Sequence, residues 1–482
     1  MYITSADLAG DEAGTLPRLN LGVKNLGPVE SANISLKPLT ILLGPNNCGK
    51  SHIAKLIHSV VSCEAKTSTH RFLPFSPPRA VRQKVLDMAK CIDGGQVACS
   101  DVAVDLMKAY MSRFFPTVLL GNLSAAAWGD IVRYGSRSCS IAIHSGVINS
   151  QVRGHTKPRA VNVTAPTICV DPMLKIPYSS DDMFRFDGEK NELRYRIPQP
   201  RISYTQHLEA MMAALASLFE YHAIQNTFRD SFYIPSERAG VPEMYKSAIG
   251  GILDTTASPD GASRSTTLEF IARLLFLSNT RGVFADAVDN MQHAMTGGRI
   301  SVSRHEMGHV SDIHYEYEGH KTPVHASSSS IKSISPLLLL LKHDITNRDL
   351  LILEEPETNL DLENQTRLAA FVARLVRLGL CIVVTTHSTH FVDKLSNCLR
   401  SGMLHDAGHG YSAVSEDESI SRDKLAVYQF IRSNSTEGYT TKPAELTEYE
   451  GIRAPEFTKT DDNLYEELLA LDRQANNEID NG

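Results

Sequence analysis

The chain has 482 residues, 42% of them hydrophobic and 21% charged, with a formal charge of −7 at pH 7. That length is too great for one small core and suggests about two to four domains, while the composition is that of an ordinary soluble globular protein. The mild acidity excludes a blanket attraction to nucleic acid or anionic lipid, leaving only local basic patches.

The first residues, M-Y-I-T-S-A-D-L, carry no basic-then-apolar leader. The longest apolar run, Pro336–Leu341, is far below the roughly twenty residues that span a bilayer. The eight cysteines are scattered without a C-x-x-C pair, as expected of reduced thiols in a cytoplasmic protein.

In chain order, Leu19, Leu21 and Val23 alternate with polar residues, as do Ile34 and Leu36. This predicts a strand pair feeding the apolar strand Leu39–Leu43. G-P-N-N-C-G-K-S, Gly44 to Ser51, follows, and then H-I-A-K-L-I-H-S-V-V with helical spacing. A proline-rich break at Leu73–Pro78 ends this unit. The text from 80 to 227 is mixed: a helical stretch, the β-like S-C-S-I-A-I-H-S-G-V-I, a basic loop V-R-G-H-T-K-P-R, and helical periodicity over Gln206–Asn226. Beyond it come Y-I-P-S-E-R-A-G, an apolar helix around Leu268–Leu277 and a hairpin through His305–Glu318.

From Ser327 a serine cluster opens a helix, followed by the buried strand L-L-I-L, an acidic turn, a helix ending near Gly379, and the strand C-I-V-V-T-T. Two near-continuous apolar strands flanking a helix indicate a parallel α/β sheet. The acidic stretch after Glu445 is expected to end in a short, peripheral helix. No repeat or sustained heptad run is visible.

Three motifs carry chemistry. Gly44–Ser51 fits G-x-x-x-x-G-K-[ST]: Gly44 and Gly49 let successive N–H groups face phosphates, and the helix N-terminus adds its positive end. Lys50 should reach the β- and γ-phosphates and Ser51 should ligate Mg²⁺. In L-L-I-L-E-E-P-E-T-N-L-D, Leu350 to Asp361, Glu354 can hold the Mg²⁺ shell and Glu355 can face the attacking water as general base. The bland alternative for the glutamates alone is a solvated acidic turn. Finally, His387 in T-T-H-S stands at the carboxyl end of a strand, where ligands bind in open α/β sheets.

Together G-P-N-N-C-G-K-S, L-E-E-P-E, N-L-D and T-T-H-S resemble the ABC-type ATPase heads of the RecF/SMC-like branch, which includes OLD-family and anti-phage defence ATPases; Y-I-P-S-E-R-A-G is similar to a segment of the latter. The resemblance covers Leu19–His58 and Ser327–Val392. It implies a P-loop NTPase head (a mixed, mostly parallel sheet flanked by helices, with an N-terminal antiparallel part) carrying a large α+β insertion. The corresponding division is a split head over 1–79 and 228–444, an inserted region over 80–227, and an acidic tail over 445–482. ATP and Mg²⁺ are the implied cofactors. The nucleotide would touch Gly44, Pro45, Asn46, Asn47, Cys48, Gly49, Lys50, Ser51 and His52, with Asp361 in the N-L-D position. The resemblance also implies a head-to-tail dimer in which Ser328, Ser329 and Ser330 meet the other copy's γ-phosphate. Ser330 stands where the family usually has glycine, a departure that leaves room for slow turnover.

His305–His309, H-E-M-G-H, matches the H-E-x-x-H zinc signature. That chemistry needs a helix, whereas the flanks alternate like a hairpin and Gly308 suits its turn; in a strand the two histidines would be about 13 Å apart, too far to hold one zinc without a sharp turn between them. Arg153, His155, Lys157 and Arg159 could contact phosphate backbones or form a solvated loop. Arg238 could sit near the nucleotide or the subunit joint, or form a structural ion pair.

No long coiled-coil arm, membrane segment or D-x-D nuclease cluster is visible. The chain therefore looks like an OLD-like head without its nuclease. Defence systems such as Septu, PARIS and some retrons imply an ATPase that gates a separate effector nuclease. The alternative is a RecF-like ATPase acting directly on DNA.

Overall fold

The computed structural model describes residues 19–68, 118–125, 127–145, 228–244, 265–306, 308–408, 413–433 and 437–480, with short segments between 79 and 195. The expected break at Leu73–Pro78 and helix over Gln206–Asn226 lie outside them.

Five parallel strands form one half of an 11-stranded sheet, in the spatial order Ser231–Ile234, Leu350–Glu354, Cys381–Thr386, Leu39–Leu43, Leu425–Arg432. Successive strand side chains point to opposite faces, so an unbroken apolar run requires both faces to be covered. They are. Leu39, Ile41, Leu43, Leu351 and Leu353 pack in one core with Phe270, Leu338, Phe371 and Phe391, which come from the helices Thr266–Leu275, Ser329–His343, Leu362–Arg377 and Thr389–Asp406. Leu42, Leu350 and Ile352 pack on the other side against Ile53, Leu56, Ile57 and Val60 of the helix Lys50–Ser68.

The other half is mainly antiparallel. Tyr439–Pro443 pairs with Leu425–Arg432, then come Val29–Ser35, Leu19–Leu26, Ser138–Ser145, Ile148–His155 and Asn162–Ile168. The N-terminal strand pair forms as expected, with Leu21 opposite Ile34 and Val23 opposite Ala32. It does not adjoin Leu39–Leu43, however; two strands from the C-terminal part of the chain lie between them. The burial patterns give the reason. Leu19–Leu26 alternates buried and exposed positions, which suits a half-solvated sheet, whereas Leu39–Leu43 is buried at every position and needs the covered centre.

Three strands of the 80–227 region thus extend the head's own sheet, while Gln96–Ala98, Met173–Lys175, Glu192–Tyr195 and Phe184–Asp187 make a second sheet. Arg153 and His155 lie in the strand Ile148–His155, whose pairing continues to Ser138, and not in a loop. Lys157 and Arg159 lie outside the described residues. The C-terminal helix is not short: after the small hairpin Glu445–Thr447/Gly451–Arg453 it runs over Pro455–Asp480, 26 residues. Among the described residues no helix is long and apolar enough to cross a membrane.

Candidate nucleotide site

Strand register brings the three motifs to one edge. Leu43 pairs with Thr386 and Thr385 with Glu354, so Gly44, His387 and Glu355 follow at the carboxyl ends of three adjacent parallel strands. That edge is where ligands bind in open parallel sheets.

The loop Gly44–Gly49 depends on its backbone. Asn47 has φ 62° and Gly49 has φ 102°. A Cβ on Gly49 would fall 2.4 Å from Val29 Cγ2, and one on Gly44 would fall 2.9 Å from Phe430 Cβ, so neither position admits a side chain without rearrangement. Lys50, 4% exposed, turns back into the loop and donates from Nζ to the carbonyls of Gly44 (2.7 Å) and Pro45 (2.8 Å). The first-turn N–H groups of the helix that begins at Lys50 have no intrahelical acceptor. A glycine-built loop that closes around a lysine ammonium at a helix N-terminus fits a polyphosphate.

Around it, Pro45, Asn46 and Asn47 are exposed, Ser51 is half-buried, and Cys48 is buried, which pushes its thiol up despite the opposing Lys50 charge. His52 packs under the turn at Gly27, where a Cβ would sit 2.7 Å from its Cδ2. Burial, with Lys55 adding to it, lowers the imidazole's affinity for a proton.

Glu354 is buried, and one of its oxygens, Oε2, accepts from the Tyr233 phenol at 2.8 Å. Burial first, then the Glu354 charge, holds that phenol well above its usual range, so it remains a donor. Glu355 has φ 43°, an uncommon left-handed backbone for a residue with a side chain. Its N–H donates to the Thr385 carbonyl at 2.9 Å and lies 3.2 Å from Thr385 Oγ1. His387, exposed, places Nδ1 3.5 Å from Glu355 Oε1 and 3.4 Å from Glu357 Oε1.

Glu357 is the residue that the sequence reading passed over. It is 5% exposed, and its Oε1 accepts from Thr386 Oγ1 (2.7 Å) and the His387 N–H (2.9 Å). Its Oε2 is buried with no hydrogen-bond partner. The available signal was the third carboxylate in E-E-P-E, two positions after Glu355. A buried carboxylate oxygen with no hydrogen-bond partner among the described residues, on a side chain that also holds Thr386 and His387, fits a site that takes a cationic or protic ligand group. The Ser51 hydroxyl and the Glu354 carboxylate are the hard oxygen donors that suit Mg²⁺.

Ser328 caps the helix Ser329–His343 by accepting from Ile331 N–H, and its Oγ lies 3.0 Å from that of Ser330. Ser328 and Ser329 are exposed, and among the described residues no hydrogen bond links Ser328–Ser330 to Lys50, Glu355 or His387. Asp361 caps the next helix: its oxygens accept from Asn364 N (2.9 Å) and Asn364 Nδ2 (2.8 Å), and these bonds lower its pKa.

Among the described residues Arg238 forms no carboxylate ion pair, contrary to one expectation. It is 2% exposed, and its guanidinium donates to backbone carbonyls of Ser333, Glu354, Glu355 and Pro356. Burial pulls it down to about 10, against the opposing charges of Glu357, Glu354 and Glu355. His305–His309 is a hairpin turn between Arg299–Arg304 and Val310–Tyr317, with Gly308 at φ 87°. The turn is sharp enough to stack the two imidazoles at 4.8 Å, much closer than an extended strand would leave them. Among the described residues no group of three or more potential ligands is gathered for a metal there or elsewhere.

Residues 185–393 match the family model described as "AAA domain, putative AbiEii toxin, Type IV TA system". The match spans the strand Ser231–Ile234, the serine helix and the Glu355 and His387 strands, but not the phosphate loop. No curated protein matches the chain. Among solved structures it is similar to an Smc head bound to the C-terminal winged-helix domain of ScpA (11% identity, 88% of this chain and 97% of that one, TM-score 0.40). An Smc head with an extended coiled coil, bound to the ScpA C-terminal domain from Pyrococcus furiosus, scores 0.39 at 11% identity over 89% and 97%. The SMC head domain from Thermotoga maritima scores 0.35 at 9% identity over 90% and 100%. Likeness of that degree adds no weight to fold or function. The sheet order, the phosphate loop and the family match together give a P-loop NTPase fold: a large mixed sheet flanked by helices, parallel through the half that carries the loop and with an antiparallel N-terminal part.

Proposed function

We propose that the chain is a Mg²⁺-dependent ATPase of the ABC type that closes head-to-tail with a second copy over ATP and gates a separate nuclease effector in anti-phage defence. The observation that carries the ATPase reading is the meeting of Lys50, Glu355 and His387 at the carboxyl edge of adjacent strands. Lys50 exchanges its two carbonyl acceptors for the β- and γ-phosphate oxygens. Ser51 and Glu354 would hold Mg²⁺, which when bound would neutralise charge on the phosphates. Glu355 accepts the proton of the attacking water. His387, held through its N–H by Glu357, hydrogen-bonds the γ-phosphate or that water.

The exposed Ser328 and Ser329 at a helix N-terminus support a composite site, since they are left available to another chain's phosphate. ATP would then favour the closed pair because both copies contact it, the differential affinity a ligand needs to shift an equilibrium. The matching family's description, which names a toxin of a toxin–antitoxin system, supports a defensive output.

Light scattering tests this reading. The Glu355→Gln protein with ATP and Mg²⁺ is expected at twice the monomer mass, returning to the monomer with ADP, while Lys50→Ala stays monomeric and binds ATP at least about 100-fold more weakly. An ATP-independent mass would overturn the switch. Hydrolysis by the chain alone that rises with added DNA would replace the effector role by a direct action on DNA.

A further inference from the structure

The acidic turn and the serine helix are tied together inside each chain, and the tie has no place in the chemistry above. Arg238 follows the edge strand Ser231–Ile234, in the short 3₁₀ turn Ser236–Gly240. From there its buried fork reaches two different elements. Nε donates to the Ser333 carbonyl (3.1 Å) in the second turn of the serine helix. Nη1 donates to the carbonyls of Glu354 (3.1 Å) and Glu355 (3.2 Å), and Nη2 to that of Pro356 (2.7 Å). A second bond runs in parallel: the Ser333 hydroxyl, fully buried, donates to the Thr358 carbonyl at 3.0 Å.

A charged group taken out of water to bind carbonyls alone is expensive, and it persists only where the geometry satisfies it. The geometry here does more than satisfy it. Glu355 sits at φ 43° and Asn359 at φ 64°, left-handed conformations; asparagine tolerates this region, but a glutamate keeps it only where its surroundings hold it. The Glu355 N–H is held by Thr385 and its carbonyl by Arg238, so both ends of this residue's backbone are fixed. Only a planar fork with several fixed donors spans Ser333 and the 354–356 carbonyls at once; a lysine ammonium cannot.

We propose that Arg238, seconded by Ser333, is a strut that couples the serine segment to Glu355, so that seating of the serine helix on the other copy's nucleotide sets the general base in its own copy's site. This rests on the composite-site reading above and adds the route by which the two sites regulate one another. Arg238 and Ser333 are positioning residues: neither touches the nucleotide.

The test is steady-state ATP hydrolysis by the full chain, with Mg·ATP, together with ATP binding and thermal melting for each variant. Arg238→Lys keeps the charge and loses the fork. Ser333→Ala removes the second bond with little change in volume and guards against a folding failure at the buried arginine. Each is expected to lower kcat about 10-fold with KM and ATP affinity unchanged per folded molecule. The readout that a purely structural role would not move is a double-mutant cycle with Ser329→Ala. The Ser329→Ala penalty should shrink at least about threefold in the Arg238→Lys background, because the relay is already cut. Unchanged kcat in both single variants, or additive penalties in the cycle, would overturn the strut. If the parent hydrolyses ATP and Lys50→Ala does not, either outcome counts against the strut alone. A parent that neither binds nor hydrolyses ATP overturns the composite-site reading and the strut together.

Discussion

The two halves of the sheet differ in the burial of their strands and, more consequentially, in strand direction. In the parallel half every carboxyl end lies along one edge, so residues about three hundred positions apart, Lys50 with Glu355 and His387, come to the same edge of the sheet. In the antiparallel half, successive strands from Leu19 to Ile168 run in opposite directions, so their carboxyl ends alternate between the two edges. Direction, more than composition, decides where chemistry can collect. The contrast extends across the parallel half itself. At its opposite, amino edge, buried Asp349 accepts bidentate bonds from Arg229 (2.8 and 2.7 Å) and further bonds from Thr346, an arrangement that fastens the starts of two strands.

Substitutions can break or sharpen that contrast. The largest effect belongs to the carboxyl edge: Glu355→Gln should lower kcat by about 10²–10⁴-fold in a phosphate-release assay while ATP binding persists. Glu357→Gln keeps the shape of the side chain but replaces the charged acceptor of the His387 N–H. It should reduce kcat about 10-fold in the same assay, and an equal loss on top of His387→Ala would show that Glu357 does not act through the histidine. At the amino edge the effect should be on stability alone. Asp349→Asn is expected to lower unfolding free energy by about 1–3 kcal/mol in urea, with kcat per folded molecule unchanged, because Arg229 is half-exposed and can be resolvated. Smallest of all, His305→Ala should leave hydrolysis intact and shift stability by no more than about 0.5 kcal/mol.

Much of the carboxyl edge was legible in the sequence because its signals are local. Gly44–Ser51 between an apolar strand and a helical pattern, E-E after L-L-I-L, and T-T-H after C-I-V-V each state their own context. Glu357 and Arg238 were not legible in the same way, since their partners are backbone groups that residue types do not encode. For H-E-M-G-H the alternation of the flanks and Gly308 identified the hairpin turn, and it is that sharp turn, the one condition under which two histidines four positions apart in strands can meet, that stacks the rings at 4.8 Å. The placement of Leu19–Leu26 away from Leu39–Leu43 depends on strands that arrive from beyond residue 424, which no local pattern could announce.

The direct measurement is a structure of the Glu355→Gln protein with ATP and Mg²⁺. One triphosphate should lie in the Gly44–Ser51 loop, with Lys50 Nζ and a His387 ring nitrogen each at about 3 Å from γ-phosphate oxygens. A nucleotide seated elsewhere, or a loop still closed on Lys50 at millimolar ATP, would contradict the account.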